Sequence, residues 1–421
     1  MMADSLRPQL SHVSLIRRIQ LGMVPLQSSA QLLDRVIDVA IMAFLICSVV
    51  SITGAQAAIL VAQAAWLGKL VRAPDHRTLH LPLLLPMAAF YLASVLTSVT
   101  AADPWLSFKD LRNVFEPAFF FLLVHHMSGE ERATTFSYIL IAAATLMAVY
   151  GLTQSIVEGP AFRVHGTMSI YMTFAGILML IALVVLAQLL FLPRGRWSWG
   201  LVWALVLLTA ALVMTHTRGA WIGIAVGGTL ILAFRQKRFL LALPAVAVVI
   251  FLASPEDVRA RIRSIVDPQD VTARERLYMW GSGLQIIRDH PWTGVGIQGV
   301  RSVYGAYKHP NAVRDQRGHL HSNLLQVAAE RGLIGVACWL WIWVAFYRQT
   351  WKIFRRLRPD NPRATALVVG SLASVTAFHV AGLFEYTFGD SEVIMLVYFL
   401  MALPYVVRGA DREARLHGTQ V

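Results

Sequence analysis

His319 and His321 stand two residues apart in the run His319-Leu320-His321-Ser322-Asn323, just before a long apolar stretch. An imidazole titrates near neutral pH, so either ring is suited to take a proton from a hydroxyl. The i, i+2 spacing also suggests a metal pair. Zinc sites generally use three or more protein ligands, and no H-E-x-x-H run, nearby cysteine or acidic triad completes one here. A general base is therefore the better reading, with an interfacial histidine that does no chemistry as the plain alternative. Ser322 and Asn323 are suited to cap the helix that follows.

Arginines supply the second ingredient. The turn Thr215-His216-Thr217-Arg218-Gly219 puts Arg218 at the very end of an apolar stretch. Snorkelling would explain it, but the turn is short and falls on the face where the charge pattern disfavours arginine, so a functional role is favoured. A guanidinium suits phosphate because its planar fork donates two parallel hydrogen bonds and keeps its charge. In the run from Arg274 to Gly296, residues Leu277, Trp280, Leu284 and Ile287 recur at three- and four-residue steps. That spacing predicts one apolar face of a short helix, with Arg276 in its first turn and His290-Pro291 and the glycines ending it. Arg276 and Arg288 would flank this helix. Lipid headgroups account equally well for any single arginine, and they suffice for Arg259, Arg261 and Arg263.

Further candidates for contact with a substrate are His319, Asn323, Arg163 and Arg288. The acids expected on the same face are Asp103, Asp110, Glu158, Glu385 and Asp390. None forms the Asp-x-Asp pair of metal-dependent sugar-nucleotide transfer. Glu385 could orient an arginine or a sugar hydroxyl, although ordinary helix-end charge is the simpler account. No metal site and no cofactor are expected.

The elements that must position these residues are membrane helices. Hydrophobic residues make up 57% of the 421-residue chain and charged residues 14%, against roughly 25% charged in a soluble domain. The mean hydropathy is +0.58. A bilayer core about 30 Å thick takes about 20 apolar residues per helix. Lipid offers backbone groups no partners, so the spans must be helical. Twelve stretches are expected to span: 36–53, 55–71, 80–99, 113–127, 134–157, 168–192, 198–215, 219–234, 239–254, 323–347, 365–387 and 391–407. Gly223, Gly227 and Gly228 would let helices approach closely in the eighth. No cleavable signal peptide is recognised, and Ser14 to Leu33 reads as an interfacial helix or a cytoplasmic tail. Cys47 and Cys338 both lie in apolar stretches and imply neither a disulfide framework nor a metal site.

Short loops rich in Lys and Arg alternate with poor ones, which places the N-terminus and the basic loops in the cytoplasm. The net charge of +13 is then explained by this bias and by anionic lipid rather than by nucleic acid. The chain divides into an N-terminal segment (1–35), nine spans (36–254), a large outer loop (255–322), three spans (323–407) and a tail (408–421). The outer loop holds ten Lys or Arg residues, a charge that long loops can carry across the membrane.

These residues resemble a family. His321-Ser322, nine residues, Gly332, two residues and Gly335 repeat the pattern of the O-antigen ligases. Those belong to a larger group that also holds O-antigen polymerases and protein O-oligosaccharyltransferases. Arg276-Leu-x-x-Trp280 with His290-Pro-x-x-Gly294-Val-Gly296, and Thr217-Arg218-Gly219, look like other signatures of the group. The resemblance implies a glycosyltransferase of the C-type membrane fold in the inner membrane of a Gram-negative bacterium. It would move a glycan from undecaprenyl diphosphate to a sugar of lipid A–core at the periplasmic face, without metal or ATP. His321 would be the general base, and Arg218 and Arg276 would bind the diphosphate. The nearest alternatives are a polymerase or a protein-glycosylating enzyme. A lipid or polysaccharide transporter is the alternative of another class, but it should carry its functional charges near the bilayer midplane.

Overall fold

The computed structural model describes residues 29–416 except 73–80, 102, 112–114, 128, 243–250, 253–255, 266, 268, 314–317 and 358–360. Among the described residues there are helices and turns but no strand. The first half runs α1 (Ser29–Cys47), α2 (Ile52–Arg72), α3 (Leu84–Val99), α4 (Pro104–Asp110), α5 (Phe115–His126), α6 (Glu130–Glu158), α7 (Tyr171–Phe191), α8 (Arg196–Met214) and α9 (Arg218–Arg235). The large loop holds α10 (Glu256–Arg263), α11 (Val271–Asp289) and α12 (Gly299–Tyr307). The chain closes with α13 (Asn323–Phe354), α14 (Pro362–Gly382) and α15 (Ser391–Leu416). Helices run through every stretch expected to span except 239–254, most of which lies outside the described residues. The segment expected to lie at the interface, Ser14 to Leu33, also falls mostly outside them.

Among the described residues, six helices are long and apolar enough to cross a membrane: α2, α6, α7, α13, α14 and α15. The helices starting at Leu84 and Ser198 are apolar but shorter. The chain is a helical polytopic membrane protein. Helices α7, α14 and α15 form its centre, with 78%, 78% and 83% of their apolar windows buried. Serines tie them together: Ser374 Oγ donates to Leu180 O at 3.0 Å and Ser371 Oγ to Leu400 O at 2.7 Å. Helix α9 sits on this centre through the small-residue face expected from the sequence. A methyl group at Gly223 or Gly227 would press on the Ala377 or Ala373 carbonyl at 2.9 or 3.0 Å. Gly228 meets only Leu186, at an ordinary 3.7 Å.

Two kinds of contact mark the two ends of the bundle. At one end α1, α2, α5 and α6 share ion pairs, with Lys69 2.6 Å and His126 3.5 Å from Asp34, and His126 also 2.9 Å from Asp38. Nearby, Asn361 donates to Glu130 at 2.7 Å. Arg194, Arg196, Arg235, Lys237, Arg238, Arg348, Lys352, Arg355 and Arg356 flank the helix ends that point the same way. The other end gathers the C-termini of α6, α8 and α14 and the N-termini of α7, α9, α13 and α15. There Val164 N bonds Met214 O at 3.2 Å, Thr173 bonds Asp390 at 2.5 Å and Phe388 N bonds Asn323 at 2.9 Å.

Candidate active site

His321 lies at this second end, in the turn that leads into α13. Its backbone has φ +48°, a left-handed conformation that non-glycine residues rarely adopt and that costs on the order of 1–3 kcal/mol. The neighbours fix it. Ser322 caps α13, Leu320 N donates to Gln326 Oε1 at 2.8 Å, and Trp280 Nε1 on α11 donates to Leu320 O at 3.1 Å. The strained turn points the ring at the loop between α14 and α15. There His321 Nδ1 meets Glu385 Oε2 at 2.9 Å. The other oxygen of Glu385 pairs with Arg276 Nη2. With Nδ1–H donating to the carboxylate, the neutral ring carries its basic lone pair on Nε2. A buried carboxylate behind a histidine both orients the ring and stabilises the imidazolium formed when Nε2 takes a proton. Glu385 is itself buried, with 4% of its surface exposed, and Arg276 offsets its charge.

Asn323 is buried beneath this node and acts on the same loop. Its Oδ1 accepts from Phe388 N at 2.9 Å and its Nδ2 faces Thr387 Oγ1 at 3.4 Å. It holds the segment that carries Glu385. His319 packs edge-on to His321, with ring centroids 4.3 Å apart. Burial, then the charge of His321, push its pKa down to about 4; Glu385 pulls the other way, and Arg276 adds a smaller push down. His319 is thus neutral at neutral pH. Its folded pKa is below the unfolded value of about 6.5. Its contribution to stability is intact above pH ~6.5 and is lost as pH falls toward 4. Melting temperatures between pH 7 and pH 4.5 should therefore fall less steeply for His319→Gln than for the parent chain. Parallel curves would show that the ring does not titrate in this way.

The glycine motif explains how α11 and α13 are held in register. Helix α13 is broken at Gly332, where φ is +62° and ψ −170°. The break releases the carbonyls of Ala329 and Glu330 and the N–H groups of Leu333 and Ile334 from the helical ladder. The His290–Gly296 turn takes up all four. Val295 N donates to Ala329 O at 2.9 Å and Gly296 N to Glu330 O at 3.0 Å, while Leu333 N donates to Pro291 O at 2.8 Å and Ile334 N to Trp292 O at 3.4 Å. Gly294, at φ +65°, lies so close to Ala329 and Glu330 that a Cβ there would overlap their backbone. Glu330 is buried and completes the joint, accepting from Gln298 N at 3.0 Å, Gln326 Nε2 at 2.8 Å and Arg331 Nη1 at 3.0 Å.

Helix α11 begins at Val271, a full turn earlier than expected, because Asp270 caps it by accepting from Ala273 N at 2.8 Å. It ends at His290 as expected. Its buried face is not the one the apolar spacing indicated. Glu275, Met279, Ser282, Gly283 and Ile286 face inward, while Leu277 and Leu284 stay 58% and 57% exposed. The inward face packs on α13 and Leu320, and a Cβ at Gly283 would press on a Leu320 methyl at 2.7 Å.

A second feature adjoins the node. A cavity is lined by Arg163, His216, Arg261, Ser264, Asp257 and Asp270, with two alanines. Arg218 braces it from the first turn of α9, donating to Ser264 O at 2.5 Å, Ser264 Oγ at 3.0 Å and Asp270 Oδ1 at 2.9 Å. Arg261 donates to His216 O at 3.3 Å, and Arg163 stacks on Tyr171 with its guanidinium carbon 4.8 Å from the ring centroid. Burial and the repulsion of Arg218, Arg163 and Arg276 lower the Arg261 pKa to about 10, against the pull of Asp270. Around this cavity the guanidinium groups of Arg163, Arg218 and Arg261 face the carboxylates of Asp257 and Asp270, so positive charge is in surplus, which is the character of an anion site.

Of the residues expected from the sequence, the structure brings His319, His321 and Arg276 together around Glu385, with Asn323 below. It places Arg218 and Arg163 around the adjoining cavity. Arg288 is exposed at the far end of α11, about 18 Å along the axis from Arg276 at 1.5 Å per residue. Two residues at the site do more than the simpler account of each, helix-end charge for Glu385 and lipid headgroups for Arg261. Glu385 has its partners 64 and 109 residues away. Arg261 shares its helix with Arg259 and Arg263, and both of these reach Glu256 at 2.9 Å. The helical repeat turns Arg261 the other way, a signal present in the sequence once α10 is known to be a helix.

The family profile described as O-antigen ligase matches residues 203–340, about a third of the chain. The matched stretch runs from α8 into α13 and includes Arg218, Arg261, Arg276, the glycine joint and His321. The resemblance read from the motifs is borne out over this stretch, which is similar to the O-antigen ligase family. No curated protein matches the chain.

Proposed function

We propose that this chain is a membrane glycosyltransferase of the O-antigen ligase type, with His321 as its general base. The observation that carries the reading is the His321–Glu385–Arg276 node, a base with its tautomer fixed, beside a cavity rich in arginine. His321 Nε2 takes the proton of an acceptor sugar hydroxyl. That oxygen attacks the anomeric carbon of a glycan held as its undecaprenyl diphosphate. The bond from that carbon to the diphosphate breaks, its electron pair goes to the phosphate oxygen, and attack from the opposite face inverts the anomeric centre. Arg218 and Arg276, with Arg163 and Arg261 beside them, stabilise the charge that grows on the leaving group. Fixed cations of this kind supply what a divalent ion or a general acid would otherwise supply.

In this reading all twelve apolar stretches cross an inner membrane in a C-type fold. The site faces the periplasm, because the basic helix ends lie at the opposite end of the bundle. The acceptor is lipid A–core, whose phosphates suit the basic outer loop. Purified protein in lipid nanodiscs, given undecaprenyl-diphosphate-linked glycan and lipid A–core, should form capped lipopolysaccharide in the presence of chelator. Formation of longer lipid-linked glycan instead would identify a polymerase, and no transfer to either acceptor would reject the reading.

Arg218→Ala and Arg276→Ala each remove charge-assisted hydrogen bonds to the diphosphate. Each should lower kcat/KM for the donor about 10–100-fold, the equivalent of roughly 1.5–3 kcal/mol. Donor titrations on folded protein check this, and wild-type affinity and turnover in both variants would remove the diphosphate role.

A further inference from the structure

The turn between α8 and α9 brings one more group to the arginine cavity. His216 is 6% exposed and lines that cavity beside Arg163 and Arg261. Its backbone has φ +52°, a conformation that costs a non-glycine residue on the order of 1–3 kcal/mol. Arg261 Nε holds the turn by donating to His216 O at 3.3 Å. His216 Nε2 lies 3.1 Å from Pro160 O. A carbonyl only accepts, so Nε2 carries the hydrogen. In the neutral ring the lone pair is then on Nδ1, which has no hydrogen-bond partner among the described residues.

The neighbouring cations also keep groups in reserve. Arg261 engages only Nε, and Arg163 engages Nη1, which donates to the Tyr171 hydroxyl at 2.6 Å. Both Nη groups of Arg261 and Nη2 of Arg163 are left for an occupant, whereas Arg218 is committed to Ser264 and Asp270. The cavity holds about 320 Å³, within the roughly 300–1,000 Å³ of ordinary ligand pockets.

The charged groups that face His216 across the cavity are Arg163 from the α6–α7 loop, Asp257 and Arg261 from α10, and Asp270 ahead of α11. Arg218 follows it in its own turn. Burial lowers the His216 pKa, the hydrogen bond to Pro160 raises it, Arg163 and Arg261 lower it and Asp257 raises it, for a net fall. A permanent cation at this position would repel Arg163 and Arg261. An imidazole becomes a cation only when an anion joins it, because a nearby negative charge favours the protonated form.

We propose that His216 binds the diphosphate of the donor as an imidazolium, taking one proton from water onto Nδ1 as the anion enters and returning it when the anion leaves. The proposal rests on the glycosyltransferase reading above. Nδ1–H then donates a charge-assisted hydrogen bond to a phosphate oxygen, and its charge adds to that of the guanidiniums while the anomeric bond breaks. The pKa of His216 lies below its ordinary value of about 6.5 in the free protein and rises when the diphosphate is bound. Between those two values binding takes up a proton, so affinity falls as pH rises. Above the bound pKa no proton is taken up and affinity levels off.

The test uses full-length protein in phosphatidylcholine nanodiscs. The probe is N-acetylglucosamine linked to farnesyl diphosphate, whose two phosphates are both doubly esterified and do not titrate near neutral pH. Calorimetry in two buffers of different ionisation enthalpy should show proton uptake on binding. Affinity should be about three- to tenfold tighter at pH 6 than at pH 8, against a limit of about tenfold per pH unit for one proton. His216→Gln should match the parent chain at pH 8, bind more weakly at pH 6 and take up no proton. His321→Ala should keep the parental pH dependence, and if His216→Gln fails to fold, proton uptake by the parent and by His321→Ala decides the matter. Binding without proton uptake, or an unchanged pH dependence in His216→Gln, would overturn the proposal and leave the donor reading in place. Displacement of the probe by phosphatidylglycerol in the nanodisc, with loss of proton uptake, would assign the cavity to a lipid headgroup and overturn it as well. Proton-coupled binding that depends on His216 in a chain that transfers no glycan would retain the site and reject the enzymatic reading.

Discussion

His321→Ala should reduce glycan transfer about 10²–10⁴-fold, the range that general-base catalysis contributes, and leave donor binding nearly unchanged. The alanine removes Nε2, the group that takes the acceptor proton. It does not touch the arginine cavity, which is lined by Arg163, Arg261 and Asp270 and braced by Arg218. Donor affinity is therefore the internal control. Glu385→Gln should act differently. The amide can still meet Nδ1, but it does not stabilise an imidazolium, and it releases Arg276. Turnover should fall at every pH, and donor affinity should change because Arg276 loses the carboxylate that aims it. If folded His321→Ala transferred glycan at the parental rate, the base would have to be sought elsewhere. If Glu385→Gln matched the parent in rate, the carboxylate would be a structural counter-charge only.

Periodicity and composition carry the fold because lipid enforces helices wherever an apolar stretch is long enough. The site was legible where chemistry is local to a motif. His321 and Arg276 each stand in a short recognisable run, and both reach the node. What escaped depends on distances in space. Glu385 reads as an ordinary helix-end acid until the α14–α15 loop folds over α13 and brings it to 2.9 Å from His321. Arg259, Arg261 and Arg263 look alike as a basic run, and only the phase of α10 sends Arg261 to the cavity while Glu256 holds the others. Leu277 and Leu284 mislead in the opposite direction. Hydrophobic spacing marks the face of α11 that is apolar, but in a membrane protein an apolar face can stay outside the protein core. The inward face instead packs Gly283 against Leu320, a contact that no periodicity encodes.

Gly332→Ala should be among the most damaging single-methyl changes in the chain. Its φ of +62° with ψ of −170° falls in a region that is essentially reserved for glycine, at a cost on the order of 1–3 kcal/mol for other residues. The added Cβ would also overlap the Trp292 carbonyl and the Thr293 nitrogen at 2.6 Å. Relief requires the His290–Gly296 turn to move off α13, which breaks the hydrogen bonds from Leu333 and Ile334 to Pro291 and Trp292. Each lost bond adds about 1 kcal/mol or more because its groups stay buried. The damage reaches the chemistry because α11 carries Arg276 and α13 begins two residues after His321. Separating the two helices pulls Arg276 and Glu385 out of register with the base. Gly200→Ala is the matched control: nothing lies within 4 Å of its added methyl, and alanine in a helix interior is worth about 0.5–1 kcal/mol over glycine. Melting in detergent and limited proteolysis between α11 and α13 should show Gly332→Ala destabilised, nicked in that loop and inactive, with Gly200→Ala at or above the parental melting temperature. A Gly332→Ala protein as stable as Gly200→Ala, and as resistant to nicking, would mean that the joint does not hold the two halves of the site together.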